Sequence, residues 1–394
     1  MKLLSLYLVC TLAAWLAIAG SAAATAHIPQ DGRQVVERLP GRADPVQREL
    51  LQLRAELSTN PTDLARAAAL ARRYIEQARI DGDPRYLGYA QAALAPWWKQ
   101  AAPPDEALVL RATLRQSTHQ FTLALQDLDT VVARDSDNVQ AWLTRATVLL
   151  VTGDYAAART SCLRLVSRAP KLVVDTCLAN ITSVNGEARA SYARLKAALA
   201  AAPATQTAIK SWVETLLAEM AERAGLDAEA QAYYRKALKE DKPDSYLLGA
   251  WCDFLLDRGR AAEVVALLKD RTRIDALLLR YALALKALGS PAAAAQTAVL
   301  KSRFEAAMLR GDTVHQREQA RFELALRGDA GSAVKLAMLN WAVQKEPADL
   351  RILVETAVAS GDKAAAKLAS DWIARTRIEE RAIAPLLPQL RSRL

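Results

Sequence analysis

The sequence contains few of the residues from which catalytic and metal-binding sites are usually built. Its 394 residues include three histidines, His27, His119 and His315, and four cysteines. It has no C-x-x-C or H-E-x-x-H motif, no glycine-rich phosphate loop, no G-x-S-x-G segment and no dinucleotide fingerprint. Acidic residues are frequent, but no spacing between them indicates a catalytic pair. We therefore expect no catalytic residue, no metal site and no cofactor, and a protein that is not an enzyme.

Strand-forming patterns are also missing. The chain has only fifteen glycines and fifteen prolines, and it lacks runs in which polar residues alternate with β-branched or aromatic ones. Alanine and leucine dominate instead, and both have high helix propensity. The composition therefore predicts an all-α fold.

The first 26 residues differ from the rest of the chain. A positive charge at Lys2 precedes an apolar stretch from Leu3 to Ala19, and Ala24-Thr25-Ala26 supplies the small residues of a signal-peptide cleavage site. A membrane anchor is the alternative, but the apolar stretch is shorter than the roughly 20 residues needed to cross a bilayer and has no basic stop-transfer flank. We expect cleavage after Ala26, a periplasmic or secreted protein, and no transmembrane segment after cleavage.

The chain is basic, with a formal net charge of +9, which falls to +8 when Lys2 is removed with the signal peptide. This charge favours contact with anionic surfaces or acidic partners. Lysine and arginine are nevertheless interspersed with acidic residues, and no basic block or nucleic-acid-reading motif is present. We therefore expect a basic solvated surface and no nucleic-acid partner.

A repeat of 34 residues runs through the middle of the chain. It relates Ala112 to Ala146 and Asn180, Phe121 to Tyr155, Ala124 to Ala158 and Tyr192, and Val131 to Leu165 and Leu199. The clearest copy, from Asn138 to Pro170, has signature residues at Trp142, Ala146, Leu149, Gly153-Asp154-Tyr155, Ala158, Cys162, Leu165 and Pro170. This pattern resembles the tetratricopeptide repeat (TPR) family. The resemblance implies a right-handed superhelical solenoid of antiparallel helix pairs.

Further copies follow, with 34 residues between Gly225 and Gly259 and 33 between Gly328 and Gly361. We count about eight repeat-like units over residues 60–377. The sequence predicts six segments: a signal peptide (1–26), a flexible leader (27–43), degenerate N-terminal helical repeats (44–104), TPR-like repeats (105–203), more divergent TPR-like repeats (204–377) and a C-terminal cap or tail (378–394).

Two of the cysteines lie where the resemblance brings two helices together. Cys162 falls in the second helix of one repeat and Cys177 near the start of the next, so the two could form a disulfide in an oxidising compartment. The interpretation that we favour from the sequence is that both are small core residues without a bond between them. Cys252, at the repeat position of Ala218, is expected in the core.

In the TPR family the first helix of each repeat lines a concave groove. Carried over to this sequence, that groove is lined by Gln140, Leu143, Thr147, Trp212, Thr215, Glu219, Tyr246 and Asp253. Its apolar stretches and few acids suit an extended or helical peptide held by apolar anchors.

The signal peptide and the repeats together favour a periplasmic scaffold or assembly adaptor that binds a peptide segment of another protein. The identity of that protein is not readable from the sequence. The alternative is the helical part of a cell-envelope enzyme such as a peptidoglycan hydrolase, although the repeats leave little room for a separate catalytic domain. Self-association into an array is a third hypothesis.

Overall fold

The computed structural model describes residues 44–202, 207–239 and 243–394, together with residues 31 and 33. The predicted signal peptide, its cleavage site and nearly all of the predicted leader lie outside these residues. By its internal contacts the chain divides into two compact units, residues 1–51 and 52–394. The second unit contains all the residues from 52 onward that form helix pairs.

All regular elements of the described residues are helical. In chain order they are α1 (Pro45–Thr59), α2 (Leu64–Asp81), α3 (Arg85–Ala93), α4 (Ala95–Trp98), α5 (Asp105–Ser117), α6 (Phe121–Arg134), α7 (Val139–Thr152), α8 (Tyr155–Leu163), α9 (Lys171–Ser183), α10 (Ala188–Ala201), α11 (Thr207–Arg223), α12 (Asp227–Ala237), α13 (Ser245–Leu256), α14 (Ala261–Leu268), α15 (Asp275–Ala287), α16 (Ala292–Leu309), α17 (Gln316–Phe322, prolonged by a π-helical turn, Glu323–Arg327), α18 (Ala330–Val343), α19 (Pro347–Ser360), α20 (Lys363–Thr376), a 3₁₀ turn (Ala384–Leu386) and α21 (Leu387–Arg391).

From α5 onward the helices pack as consecutive pairs, α5 with α6, α7 with α8, and so on to α19 with α20. The small residues that the repeat predicts at the crossings, Ala112, Ala124, Ala146 and Ala158, are buried. Small side chains at a crossing allow two helices to approach closely. Each helix pair that has them at its crossing therefore has a similar distance between its helices. The prediction of an all-α, TPR-like solenoid of antiparallel helix pairs is confirmed.

The third copy of the repeat departs from the predicted register. Helix α9 starts at Lys171, two residues earlier than a 34-residue step from Val139 would place it. As a result Ala179, and not Asn180, is the buried small residue of this helix, and Asn180 is only half-buried. The alignment of Asn180 with Ala112 and Ala146 was therefore wrong as a packing prediction.

The C-terminal part of the chain returns to the earlier repeats. The backbone N–H of Lys345 donates to the carbonyl of Val151, 2.8 Å away, at the end of α7. Trp372 of α20 lies so close to Gly153 that a Cβ there would come within 2.4 Å of the indole, and Gly153 also has a φ of +85°. Gly153 is therefore required both by the turn between α7 and α8 and by the Trp372 contact.

The predicted C-terminal cap or tail is packed against this part of the molecule. Ile378, Ile383 and Leu390 are buried in one apolar cluster with Trp341, Leu353 and Trp372. The carboxylate of Glu379 accepts a hydrogen bond from the backbone N–H of Ala188, 3.0 Å away, at the start of α10. Residues 378–390 thus contribute to the core of the second unit.

Candidate functional site

The eight predicted groove residues all lie on first helices of their pairs, on α7, α11 and α13. They differ in how accessible they are. Thr215 is buried, Tyr246 is 55% exposed, Gln140 is also exposed, and the remaining five are half-buried. Tyr246 is thus the large side chain of this set that most readily reaches a ligand.

The structure joins the α11 and α13 parts of the predicted groove. The hydroxyl of Tyr246 donates to Oε1 of Glu219, 2.5 Å away. Burial raises the pKa of Glu219, while Arg223 and the Tyr246 hydroxyl act in the opposite direction. This pair fixes the spacing between the two helices on the face that they share.

The predicted groove residues on α7 make local contacts. Nε2 of Gln140 donates to the hydroxyl of Thr144, and the Thr147 hydroxyl donates to the carbonyl of Leu143. Leu143 also packs against the apolar cluster that surrounds Cys162. Gln140 and Thr147 therefore present accessible polar atoms, whereas Leu143 contributes part of its surface to the core.

Asp253, at the other end of the set, is held by the chain's own arginines. Arg280 of α15 and Arg321 of α17 both form ion pairs with its carboxylate. Burial alone would raise the pKa of Asp253, but the two guanidinium groups outweigh it and lower that pKa. Asp253 is thus a structural acid that links three first helices, and the groove is closed to a partner's cation at this end.

A cavity of about 80 Å³ lies beside the Glu219–Tyr246 pair. We call it the Arg223 cavity. It is lined by the polar residues Tyr155, Asn180, Glu219, Arg223, Tyr246, Lys345 and Glu346 and by the apolar residues Leu150, Val184, Leu216 and Pro347. Helices from four consecutive pairs and the Lys345–Pro347 segment therefore meet around one small space.

Sequence reasoning identified only Glu219 and Tyr246 among the residues of this cavity. Asn180 was visible as a polar residue where the repeat expects a small one, a departure that marks a position not used for packing. Lys345 and Glu346 reach the cavity because the chain folds back after α18. No local sequence pattern predicts that the chain folds back there.

A larger cleft of about 270 Å³ lies nearby, between α12, α13, α19 and the segment after Glu380. Its charges are mostly paired: Arg258 and Arg381 with Asp227, and Arg351 with Asp257. Glu222, which accepts from the Tyr234 hydroxyl at 2.9 Å, has its pKa raised to about 7 by burial. The cleft is therefore a network of internal ion pairs.

Cys162 and Cys177 form a disulfide between α8 and α9, with their Cα atoms 5.7 Å apart. The structure thus differs from the interpretation favoured above, in which the two were unbonded core residues. Cys252 is a buried free cysteine.

Among the described residues, neither a metal-binding cluster nor a membrane-spanning helix is found. No group of three or more histidine, cysteine or acidic side chains is arranged to hold a metal ion. No helix in that part of the chain is both long and apolar enough to cross a membrane.

No protein-family model matches the chain, and no curated protein is similar to it in sequence. Among solved structures, it is similar to a tetratricopeptide repeat protein from Parabacteroides merdae ATCC 43184, with 15% identity over 61% of this chain and 92% of that one, at a TM-score of 0.43. It is also similar to a monomeric mutant of IFIT1, with 13% sequence identity and a TM-score of 0.43. That similarity covers 87% of this chain and 86% of the IFIT1 chain. A third similarity is to Naa15/Naa10 bound to HypK-THB, with 15% sequence identity and a TM-score of 0.31. That similarity covers 89% of this chain and 60% of the other chain.

Similarities at this level carry no argument about function, and the fold assignment rests on the helix pairs described above. Stacked helix pairs provide an extended surface, which is why such architectures commonly serve as scaffolds for protein interactions. The chain is a TPR-like helical repeat protein.

Proposed function

We propose that this protein is an exported scaffold that binds an extended or helical segment of another protein along α7, α11 and α13. The observation that carries the proposal is the accessibility of Tyr246. This aromatic side chain is more than half exposed on a first helix, and its neighbour Glu219 anchors its hydroxyl. An exposed aromatic group that is fixed in position is a typical anchor for a partner segment.

Gln140 and Thr147 extend the same surface on α7 with polar atoms that can pair with a partner's backbone. Export is supported by the signal-peptide pattern of residues 1–26 and agrees with the Cys162–Cys177 disulfide, because such bonds persist in oxidising compartments. Export and peptide binding are separate parts of the proposal and need separate tests.

The binding test uses the mature chain as bait in an envelope extract, with mass spectrometry to identify the captured protein and titration of that protein in pure form. Tyr246→Ala should weaken its binding at least tenfold, about 1.4 kcal/mol. Tyr89→Ala is the matched control, since Tyr89 is a similarly exposed tyrosine in the N-terminal helices. Equal binding by both variants would place the contact elsewhere.

Export is tested by mass spectrometry of the protein recovered from the periplasm. The recovered chain should begin at His27. Recovery of the uncleaved chain from the cytoplasm would contradict it. Zymography on cell-wall substrate tests the envelope-enzyme alternative, and a cleared band would favour that alternative over the scaffold.

A further inference from the structure

The C-terminal segment, residues 378–390, lies across the ends of two earlier repeats. The carboxylate of Glu379 accepts from the backbone N–H of Ala188 at the start of α10. Nη1 of Arg381 donates to Oδ1 of Asp227, 2.8 Å away, at the start of α12. The first six residues of the segment form no helix. The position of the segment on α10 and α12 therefore depends on side-chain contacts, together with the apolar contacts described above.

Two carboxyl groups meet where the C-terminal segment covers the repeats. Glu222 at the end of α11 and Glu380 of the segment line the same cleft, the one of about 270 Å³. Glu222 accepts from the Tyr234 hydroxyl at 2.9 Å and from Nη1 of Arg258 at 3.3 Å. Glu380 accepts from the backbone N–H of Ala382 at 3.1 Å, and it makes no ion pair within the described part of the chain. The contact between segment and repeats thus encloses one carboxyl with a shared cation and one without a bonded cation.

The other charged groups at this cleft already form ion pairs with one another. These pairs are Arg258 with Asp227, Arg381 with Asp227, and Arg351 with Asp257. Arg223, beside the cleft, donates to the Ser183 hydroxyl at 2.9 Å, and its charge also acts on Glu380. Ionisation of Glu222 and Glu380 therefore adds two negative charges to a site where two aspartates are already ionised and where most of the arginines are already paired.

Burial at the cleft favours the neutral form of both carboxyls. It raises the pKa of Glu222 to about 7, although the Tyr234 hydroxyl and Arg258 act in the opposite direction. Burial also raises the pKa of Glu380 and outweighs the charges of Arg223 and Arg351, which lower it. Detachment of the C-terminal segment would return both carboxyls to water, where the ionised form is well hydrated.

We propose that the C-terminal segment is a pH-sensitive switch, which stays docked on α10 and α12 while Glu222 and Glu380 are neutral and detaches when they ionise. Because docking raises the pKa of both groups, it is favoured at low pH. This advantage is complete below the ordinary glutamate value of 4.5 and is lost as the pH rises through about 7. The switch concerns how the chain holds its own C-terminus, so it does not depend on the scaffold proposal.

The test is hydrogen exchange of the mature chain at pH 5.5 and 7.5, read by mass spectrometry and corrected for the pH dependence of free-amide exchange. For one carboxyl whose pKa moves from 4.5 to about 7 on docking, linkage predicts about a twentyfold change in the docking equilibrium between these pH values. Protection of residues 378–390 should therefore fall at least tenfold from pH 5.5 to 7.5. Peptides from α15 are the internal reference and should keep their protection.

The Glu222→Gln, Glu380→Gln double variant carries neutral amides and should keep the segment protected at both pH values. Glu263→Gln is the matched control, because Glu263 is an exposed glutamate of α14 paired with Arg260, and it should respond like the wild type. If the double variant fails to fold, Glu380→Gln alone should remove part of the response. Protection of residues 378–390 that does not fall between the two pH values, or that falls equally in the wild type and the glutamine variants, would overturn the proposal.

Discussion

The repeats of α5–α10 and the C-terminal helices α17–α20 differ in the polar groups that their packing encloses. Small apolar residues are buried in both regions, such as Ala112, Ala146 and Ala158 in the first and Ala337, Ala357 and Ala369 in the second. The second region also encloses Asp349, which is 0% exposed. Its carboxylate accepts from Asn340, Gln344, Arg317 and the backbone N–H of Glu346 at 2.8–3.3 Å.

The two regions also differ in how far apart in the sequence the contacting residues lie. Apolar packing in α5–α10 joins helices that follow one another, so each pair can be formed with its neighbour. The polar contacts of the C-terminal region join Asp253 to Arg321 and Asp257 to Arg351, 68 and 94 residues apart. The first kind of contact makes the repeat, and the second folds the repeats back on one another.

Replacing Asp349 should produce the largest loss of stability. Asp349→Ala leaves Arg317, Asn340 and Gln344 without their shared acceptor, and breaking a buried polar network of this kind costs about 3–5 kcal/mol. The measurement is the free energy of unfolding in urea, followed by tryptophan fluorescence.

Asp371→Ala is the control for this variant. Asp371 pairs with Lys367 on the surface of α20, and both side chains are more than half exposed, so its loss should cost less than about 1 kcal/mol. If the two substitutions lowered the free energy of unfolding equally, the buried network would contribute no more stability than a surface pair. The contrast between the two regions would then be wrong.

Reduction of the Cys162–Cys177 bond should produce the next largest loss, in the apolar region. The bond closes a loop of 15 residues, for which the chain-entropy estimate is about 3 kcal/mol. Unfolding of the wild type in urea should therefore shift on addition of reductant, and the Cys162→Ala, Cys177→Ala double variant should not respond.

The remaining cysteine supplies the control. Cys252→Ala should respond to reductant as the wild type does, because Cys252 is unbonded and burial raises the pKa of its thiol to about 12. A wild type that unfolds identically with and without reductant would show that the bond adds nothing to α8 and α9.

The sequence predicts the apolar half of this comparison well, and the reasons are physical. A repeated helix crossing needs the same small residue at each copy, so Ala112 and Ala146 reveal both the helix pairs and their spacing. Caps are equally local: Asp63, Asn138 and Asp154 each accept from a backbone N–H three residues ahead at the start of a helix. The all-α fold and the starts of α2, α7 and α8 follow from such short-range signals.

The charged interior could not be predicted in this way. Arg223, Arg317 and Lys345 look like ordinary surface cations in a helical sequence, yet Arg223 is buried and the other two are half-buried. The groove residues illustrate both outcomes. Tyr246 was placed on an accessible face by the repeat register alone, while the two arginines that pair with Asp253 come from other repeats and carry no spacing signal.

The smallest predicted effect compares a cap supplied by a distant part of the chain with a local cap. Helix α10 has no side-chain cap of its own at Glu187, and the carboxylate of Glu379, 191 residues from Ala188, accepts from that backbone N–H instead. A carboxylate at a helix N-terminus contributes about 1 kcal/mol through its hydrogen bond and the helix dipole. Glu379→Ala should therefore cost about as much as Asp154→Ala, which removes the local cap of α8.

Hydrogen exchange separates the two variants. Glu379→Ala should speed exchange in the first turn of α10 and also in residues 378–390, because the cap is one of the contacts that hold this segment against α10. Asp154→Ala should affect the start of α8 alone. If Glu379→Ala left exchange at Ala188 and Arg189 unchanged, the first turn of α10 would not depend on the C-terminal segment, and the return of the chain would be stabilised by apolar and ion-pair contacts without it.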